Sequence, residues 1–184
     1  MKKIDRIKES MVVVREKMED IKLECLKHVI VLKGYNNDGK TSVLKCLIEE
    51  LYNRNPQNWV GKQKFNPEKV EVEKSKGEYS AVFNYKGIVI AIQTAGDTRD
   101  IIIKNFQCFE KCKVSIAITA VRVHEKNRAD IVAEHTYSEI NSMRSFVSHE
   151  ISIEGMKLRT KAAEMKVVNQ IIVELDKLVM EVAK

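Results

Sequence analysis

Residues 28–51, HVIVLKGYNNDGKTSVLKCLIEEL, join three patterns that no single secondary structure can carry. The run His28–Gly34 is short, continuously apolar and rich in β-branched residues, the pattern of a strand buried on both faces. From Gly39 onward Val43, Leu44, Leu47, Ile48 and Leu51 recur at helical spacing, and NRNP at 53–56 stops that helix. Between the two lies a polar segment that holds two of the chain's seven glycines, Gly34 and Gly39. A strand buried on both faces needs helices on each side of its sheet, so this stretch already selects the α/β class.

The rest of the chain repeats the alternation. Residues 4–26 read as one amphipathic helix, with Ile4, Ile7, Met11, Val14, Met18, Ile21 and Cys25 in a three-four rhythm. Residues 57–76 are polar and charged, with alternation at 69–73 that fits a short strand. EYSAVFNYKGIVIAIQ (78–93) predicts a hairpin around Tyr85-Lys86-Gly87, its second arm Ile88–Ile92 being central in the sheet. A helix at 98–111, a buried strand at 113–121, a helix within 127–143 and a last strand at 144–152 follow. Gly155 precedes a closing helix, 156–184, in which Met165, Val168, Ile172, Leu175, Val179 and Val182 keep the same rhythm as the first.

The expected architecture is one α/β domain over 1–184, three-layered, with a mainly parallel sheet and an antiparallel hairpin arm. Long helices flank it at 1–27 and 156–184. Their heptad seams have two uses open to them. They pack inside the chain, or they join a second copy or another protein.

Of 184 residues 44% are hydrophobic and 32% charged, a globular balance without an apolar run of membrane-spanning length. The apolar stretch near the N-terminus is too short and interrupted for a signal peptide, so a cytoplasmic protein is expected. The four cysteines sit in apolar or helical patterns, where reduced thiols behave as small hydrophobes. Cys108 and Cys112 share a helix face, but the histidines at 28, 124, 135 and 149 are scattered, which favours packing over a metal site. A net charge of +6 with acids interleaved throughout gives no support to a nucleic-acid surface.

The segment Gly34-Tyr-Asn-Asn-Asp-Gly39-Lys40-Thr41 fits G-x-x-x-x-G-K-[ST] without a gap. A phosphate chain needs N–H donors converging from a tight turn, and the following helix turns its positive end to the same place. Gly34, Asn36, Asn37, Asp38, Gly39, Lys40, Thr41 and Ser42 are therefore the expected nucleotide-binding residues. Lys40 would reach the β- and γ-phosphates, and the Thr41 hydroxyl would ligate Mg²⁺.

On these residues, 28–51 resemble the first strand, glycine loop and first helix of the P-loop NTPase superfamily. GYNNDGKTSVLKCL is similar to the G-x-N-x-x-GKTS-x-L form of RecF-like and other ABC-type ATPases, although no LSGGQ-like signature follows. The resemblance implies binding of ATP, or of GTP, with Mg²⁺. It also implies a second motif, an acid at the end of a neighbouring apolar strand. Here the strand GIVIAI ends in Gln93, and the next acid is Asp97 in QTAGDTRD. Asp97 either serves the metal together with Thr41 or caps the helix that follows, while Asp100 faces that helix's dipole. TAG after an apolar strand also resembles the DTAG of small GTPases, with Gln93 in place of the acid.

Arg122, at the end of strand 113–121, is the cation best placed to stabilise a transferring phosphoryl; Arg99 and Arg128 are further candidates. Lys40, Asp97 and Arg122 form the expected catalytic set. The expected function is a small Mg²⁺-dependent ATPase with slow or partner-stimulated hydrolysis. The alternatives are a nucleotide or small-molecule kinase, and a nucleotide-dependent switch, adaptor or GTPase-like protein.

Overall fold

The computed structural model describes residues 12–19, 21–54, 78–123 and 132–184. The strands are β1 (His28–Gly34), β2 (Ser80–Tyr85), β3 (Ile88–Gln93), β4 (Ile116–Arg122) and β5 (Val147–Ser152). The helices are α1 (12–18), α2 (Lys40–Arg54), α3 (Arg99–Lys111), α4 (Val132–Met143) and α5 (Lys161–Val182). Expectations for the strand at 69–73, for Arg128 and for Ile4, Ile7 and Met11 fall outside the described residues.

The strands form one sheet in the order β2-β3-β4-β1-β5. β1 pairs in parallel with β4 and β5, β3 pairs in parallel with β4, and only the β2–β3 pair is antiparallel. The β2–β3 turn is Lys86-Gly87, with φ of 52° and 87°, the two left-handed residues of a tight hairpin.

Side-chain alternation sends each strand's residues to two separate cores. Ile30, Leu32, Ile90 and Ile92 face α2 and α5, whereas Val29, Val31 and Ala91 face α3, α4 and Val14 and Met18 of α1. The result is a three-layer α/β fold. From β1 the chain crosses one face through α2 and enters the β2–β3 hairpin, and from β4 it crosses the other face through α4 to β5. The adjacent carboxyl ends of β1 and β4 are therefore the switch point, where doubly wound sheets open a crevice.

Three expectations are corrected. The first helix does not run to residue 26: residues 21–27 are irregular, Leu23 takes φ 51°, and the Lys22 N–H donates to a Glu110 carboxylate oxygen at 2.9 Å. Of the expected rhythm Ile21 is buried but Cys25 is exposed, while Leu23 and Leu26, outside that rhythm, are buried. The last helix starts at Lys161 rather than 156, because Thr160 caps it by accepting from the Ala163 N–H. Strand β4 starts three residues later than expected, after a turn in which Lys113 takes φ 51°.

Part of each heptad seam packs inside the chain. Val14 and Met18 are buried on one face of the sheet, and Val168, Ile172, Leu175 and Val179 on the other. No helix among the described residues is long and apolar enough to cross a membrane.

Candidate phosphate-binding site

Gly34 ends β1 directly beside Arg122 at the end of β4, so the glycine loop leaves the sheet at the switch point. Asn37 (φ 64°) and Gly39 (φ 97°) then turn the loop into α2. Asn tolerates the left-handed region, and Gly39 has a second reason to lack a side chain. A Cβ there would lie 3.1 Å from Leu158 Cβ and 3.2 Å from its carbonyl oxygen. The loop is thus wedged against the segment that joins β5 to α5.

Asp38 provides the strut. Only 2% exposed, its carboxylate accepts from the Tyr35 N–H at 2.7 Å and from the Gly155 N–H at 2.9 Å, and its carbonyl accepts from Leu158 N–H at 3.2 Å. Among the expected nucleotide-binding residues, Asp38 has its side chain bonded to the backbone that shapes the loop.

Lys40 opens α2 and is 7% exposed. Its ammonium donates to the carbonyls of Gly34 (2.9 Å) and Tyr35 (2.6 Å), folding the side chain across the loop it belongs to. Burial lowers its pKa from the ordinary value, the Asp97 carboxylate opposes that shift, and the Arg122 charge adds to it; Asp38 and Glu78 act like Asp97. Four charged groups therefore act on the charge of this one ammonium.

The N-terminus of α2 is electrostatically bare. Helices α3, α4 and α5 carry Asp100, Glu134 and Glu164 in their first turns, but α2 carries no acid there. Its first N–H groups have no intrahelical acceptor, and no acid of the helix's own first turn offsets their partial charge. Thr41 is half-buried in that turn and Ser42 is exposed.

Arg122 and Asp97 meet across the end of the sheet, Nη2 to Oδ2 at 2.5 Å, and the same Nη2 donates to Asn36 Oδ1 at 3.1 Å. Arg122 Nε is buried and finds no acceptor among the described residues. Asp97 is not the helix cap, since Thr98 takes that role by accepting from the Ile101 N–H. The Asp97 loop is held close to β4: Arg122 N–H donates to the Gly96 carbonyl at 3.1 Å, and a Cβ on Gly96 would lie 1.6 Å from the Ala120 oxygen. Asn105 secures it from α3 by donating to the Ala95 carbonyl at 2.8 Å.

Thr41 and Asp97, coupled in the sequence reading as metal residues, take different partners. The Thr41 hydroxyl donates to Glu78 Oε1 at 3.4 Å, and Glu78 Oε2 accepts from Thr94 Oγ1 at 2.5 Å. Glu78 precedes β3 in the chain, whereas the acid expected from the pattern follows that strand. The signal lay in the hairpin. β2 is antiparallel, so its start stands beside the end of β3, with Ser80 opposite Gln93. Gln93 itself points to the other face of the sheet, where its amide donates to Ser80 Oγ at 2.6 Å and to Cys108 Sγ at 3.6 Å.

In comparison with known proteins, no family model, no curated protein and no solved structure matches the chain.

Proposed function

We propose that the chain binds a nucleoside triphosphate, ATP before GTP, through Gly34–Ser42 and hydrolyses it slowly or on stimulation by a partner. The observation that carries this reading is the convergence of the glycine loop, the buried Lys40 ammonium and the acid-free start of α2 on one point of the sheet edge. Orphan helix N–H groups and a desolvated ammonium together favour a polyanion. Lys40 would exchange its two carbonyl acceptors for phosphate oxygens, with Asn36, Asn37 and Ser42 around the same turn.

The donor set also fits Mg²⁺. Thr41 and Glu78 offer hard oxygen atoms. That suits a cation that takes one or two protein oxygens and completes its shell with phosphate and water. When bound, Mg²⁺ neutralises charge on the β- and γ-phosphates.

The state of Arg122 supports slow turnover. Its guanidinium is tied to Asp97 and Asn36, so it reaches a transferring phosphoryl only after that pair opens. The orphaned Nε leaves a donor in reserve for a phosphate oxygen. The same pair favours a second reading, a nucleotide-dependent switch in which opening the pair is itself the output.

Calorimetric titration with Mg·ATP and Mg·GTP, followed by phosphate release in the same samples, tests the reading. Lys40→Ala is expected to abolish binding or weaken it at least tenfold. Unchanged binding and turnover in that variant would remove the site assignment.

A further inference from the structure

We infer that Glu78, at the start of the antiparallel strand β2, is the acid that positions the metal in this site, a role the sequence pattern leads one to seek at Gln93 or Asp97. The inference rests on the nucleotide reading of the glycine loop, and it concerns which carboxylate serves that site.

Three observations carry it. First, both Glu78 oxygens are committed to the site's hydroxyls, Oε1 to Thr41 and Oε2 to Thr94. A hydroxyl has one proton and two lone pairs. With its proton given to Glu78, Thr41 keeps its lone pairs free for a cation, and the carboxylate raises the electron density on that oxygen. This is how an outer carboxylate orients a metal ligand.

Second, alternation along β3 decides which residue can serve the α2 side of the sheet. Ile90 and Ile92 face α2 and α5, so Gln93 faces α3 and Thr94 returns to the α2 side. Thr94 lacks a carboxylate, and Glu78 supplies one through it. The backbone makes this placement rigid: Thr94 N–H donates to the Tyr79 carbonyl at 3.0 Å, and the Tyr79 N–H donates to Thr94 Oγ1 at 2.7 Å. The two residues flanking the acid position are thereby laced together.

Third, Asp97 is already neutralised by Arg122, whereas the donors to Glu78 among the described residues are the Thr41 and Thr94 hydroxyls. A carboxylate whose nearest partners are neutral retains its charge for a divalent ion. The Glu78 charge also acts on the Lys40 ammonium, raising its pKa against the effect of burial.

The test compares ATP affinity in Mg²⁺ and in EDTA for the full chain, Glu78→Gln, Glu78→Asp and Lys40→Ala. Wild type is expected to bind more tightly in Mg²⁺. Glu78→Gln should lose about 10–100-fold of that gain. In EDTA the same variant should bind as well as wild type or better, because a carboxylate facing the triphosphate has been removed. Opposite signs in the two buffers distinguish a metal role from a structural one. Glu78→Asp should restore part of the gain, and Lys40→Ala should lose affinity in both buffers. A Glu78→Gln variant that keeps the Mg²⁺ gain within twofold overturns the inference while leaving the loop reading intact. Equal losses in Mg²⁺ and EDTA overturn it as well, showing that Glu78 acts through the fold. Absence of ATP binding by wild type in either buffer overturns the loop reading and this inference together.

Discussion

In the loop proposed to bind an anion a carboxylate is an electrostatic liability, and the surroundings of Asp38 show how the chain removes it. Two backbone N–H donors, Tyr35 and Gly155, hold the Asp38 side chain, and both bonds are charge-assisted. Asp38 thus fixes the curvature of the loop and clamps it to the β5–α5 connection. Asp97 resolves a different conflict. It faces Arg122 at the sheet edge, both partly exposed to water, and it neither caps α3 nor contacts Thr41. Exposed pairs of this kind contribute about 0–1 kcal/mol to stability. Asp97→Asn is therefore expected to leave thermal unfolding nearly unchanged. It should also preserve the Mg²⁺-dependent gain in ATP affinity that Glu78→Gln loses. A large loss of that gain in Asp97→Asn would return the metal role to Asp97.

At the scale of elements, α5 shows that heptad spacing and self-association are separable. A three-four rhythm states only that one face of a helix is apolar. In α5 that face, with Val167, Val168, Ile171, Ile172, Leu175, Leu178 and Val179, closes the core shared with α2, β1 and β5. Leu175 is completely buried. Leu175→Ala is expected to lower stability by about 2–5 kcal/mol, the usual cost of an aliphatic core truncation. Chemical denaturation with the mass measured in parallel would show this. A shift in oligomeric state with little loss of stability would mean that the seam serves a partner instead. On the other face of the sheet the same rhythm in the first helix misled for residues 21–27. Apolar residues there are buried one by one from an irregular backbone.

At the scale of the whole molecule, the two ends of β1 carry different chemistry. Its carboxyl end feeds the glycine loop. Its amino end places His28 Nδ1 at 3.2 Å from His149 Nε2, and His149 Nδ1 lies 3.0 Å from Glu174 on α5, with Lys177 on the same carboxylate at 3.8 Å. Burial lowers the His28 pKa below its usual 6.5, repulsion from His149 adds to this, and the Glu181 and Glu174 carboxylates oppose it. The unfolded chain therefore binds this proton more readily than the folded one. Stability should be unaffected by His28 above the unfolded value, fall as pH drops through about 6.5, and level off only below the folded pKa. Thermal unfolding of wild type and His28→Gln between pH 7.5 and 5, with a shallower slope in the variant, would show the contribution. Identical slopes would assign the acid sensitivity to other groups.

The strand–loop–helix unit at 28–51, the β2–β3 hairpin and the α/β class were all legible along the chain, because each rests on local periodicity and on residues whose backbone preference is strong. Gly39, Lys40 and Thr41 stand where their spacing places them, between β1 and α2. What the chain could not disclose was everything that depends on strand order and on which side chains the sheet edge brings together. Glu78 comes beside Thr41 only because β2 runs antiparallel and brings its start to the carboxyl edge of the sheet. Arg122 reaches Asp97 and Asn36 only because β4 lies between β1 and β3. Asp38 became a strut only when Gly155 folded against it from a distant segment. Periodicity is a property of neighbours in sequence, but the partners of a charged side chain are chosen by the packing of whole strands.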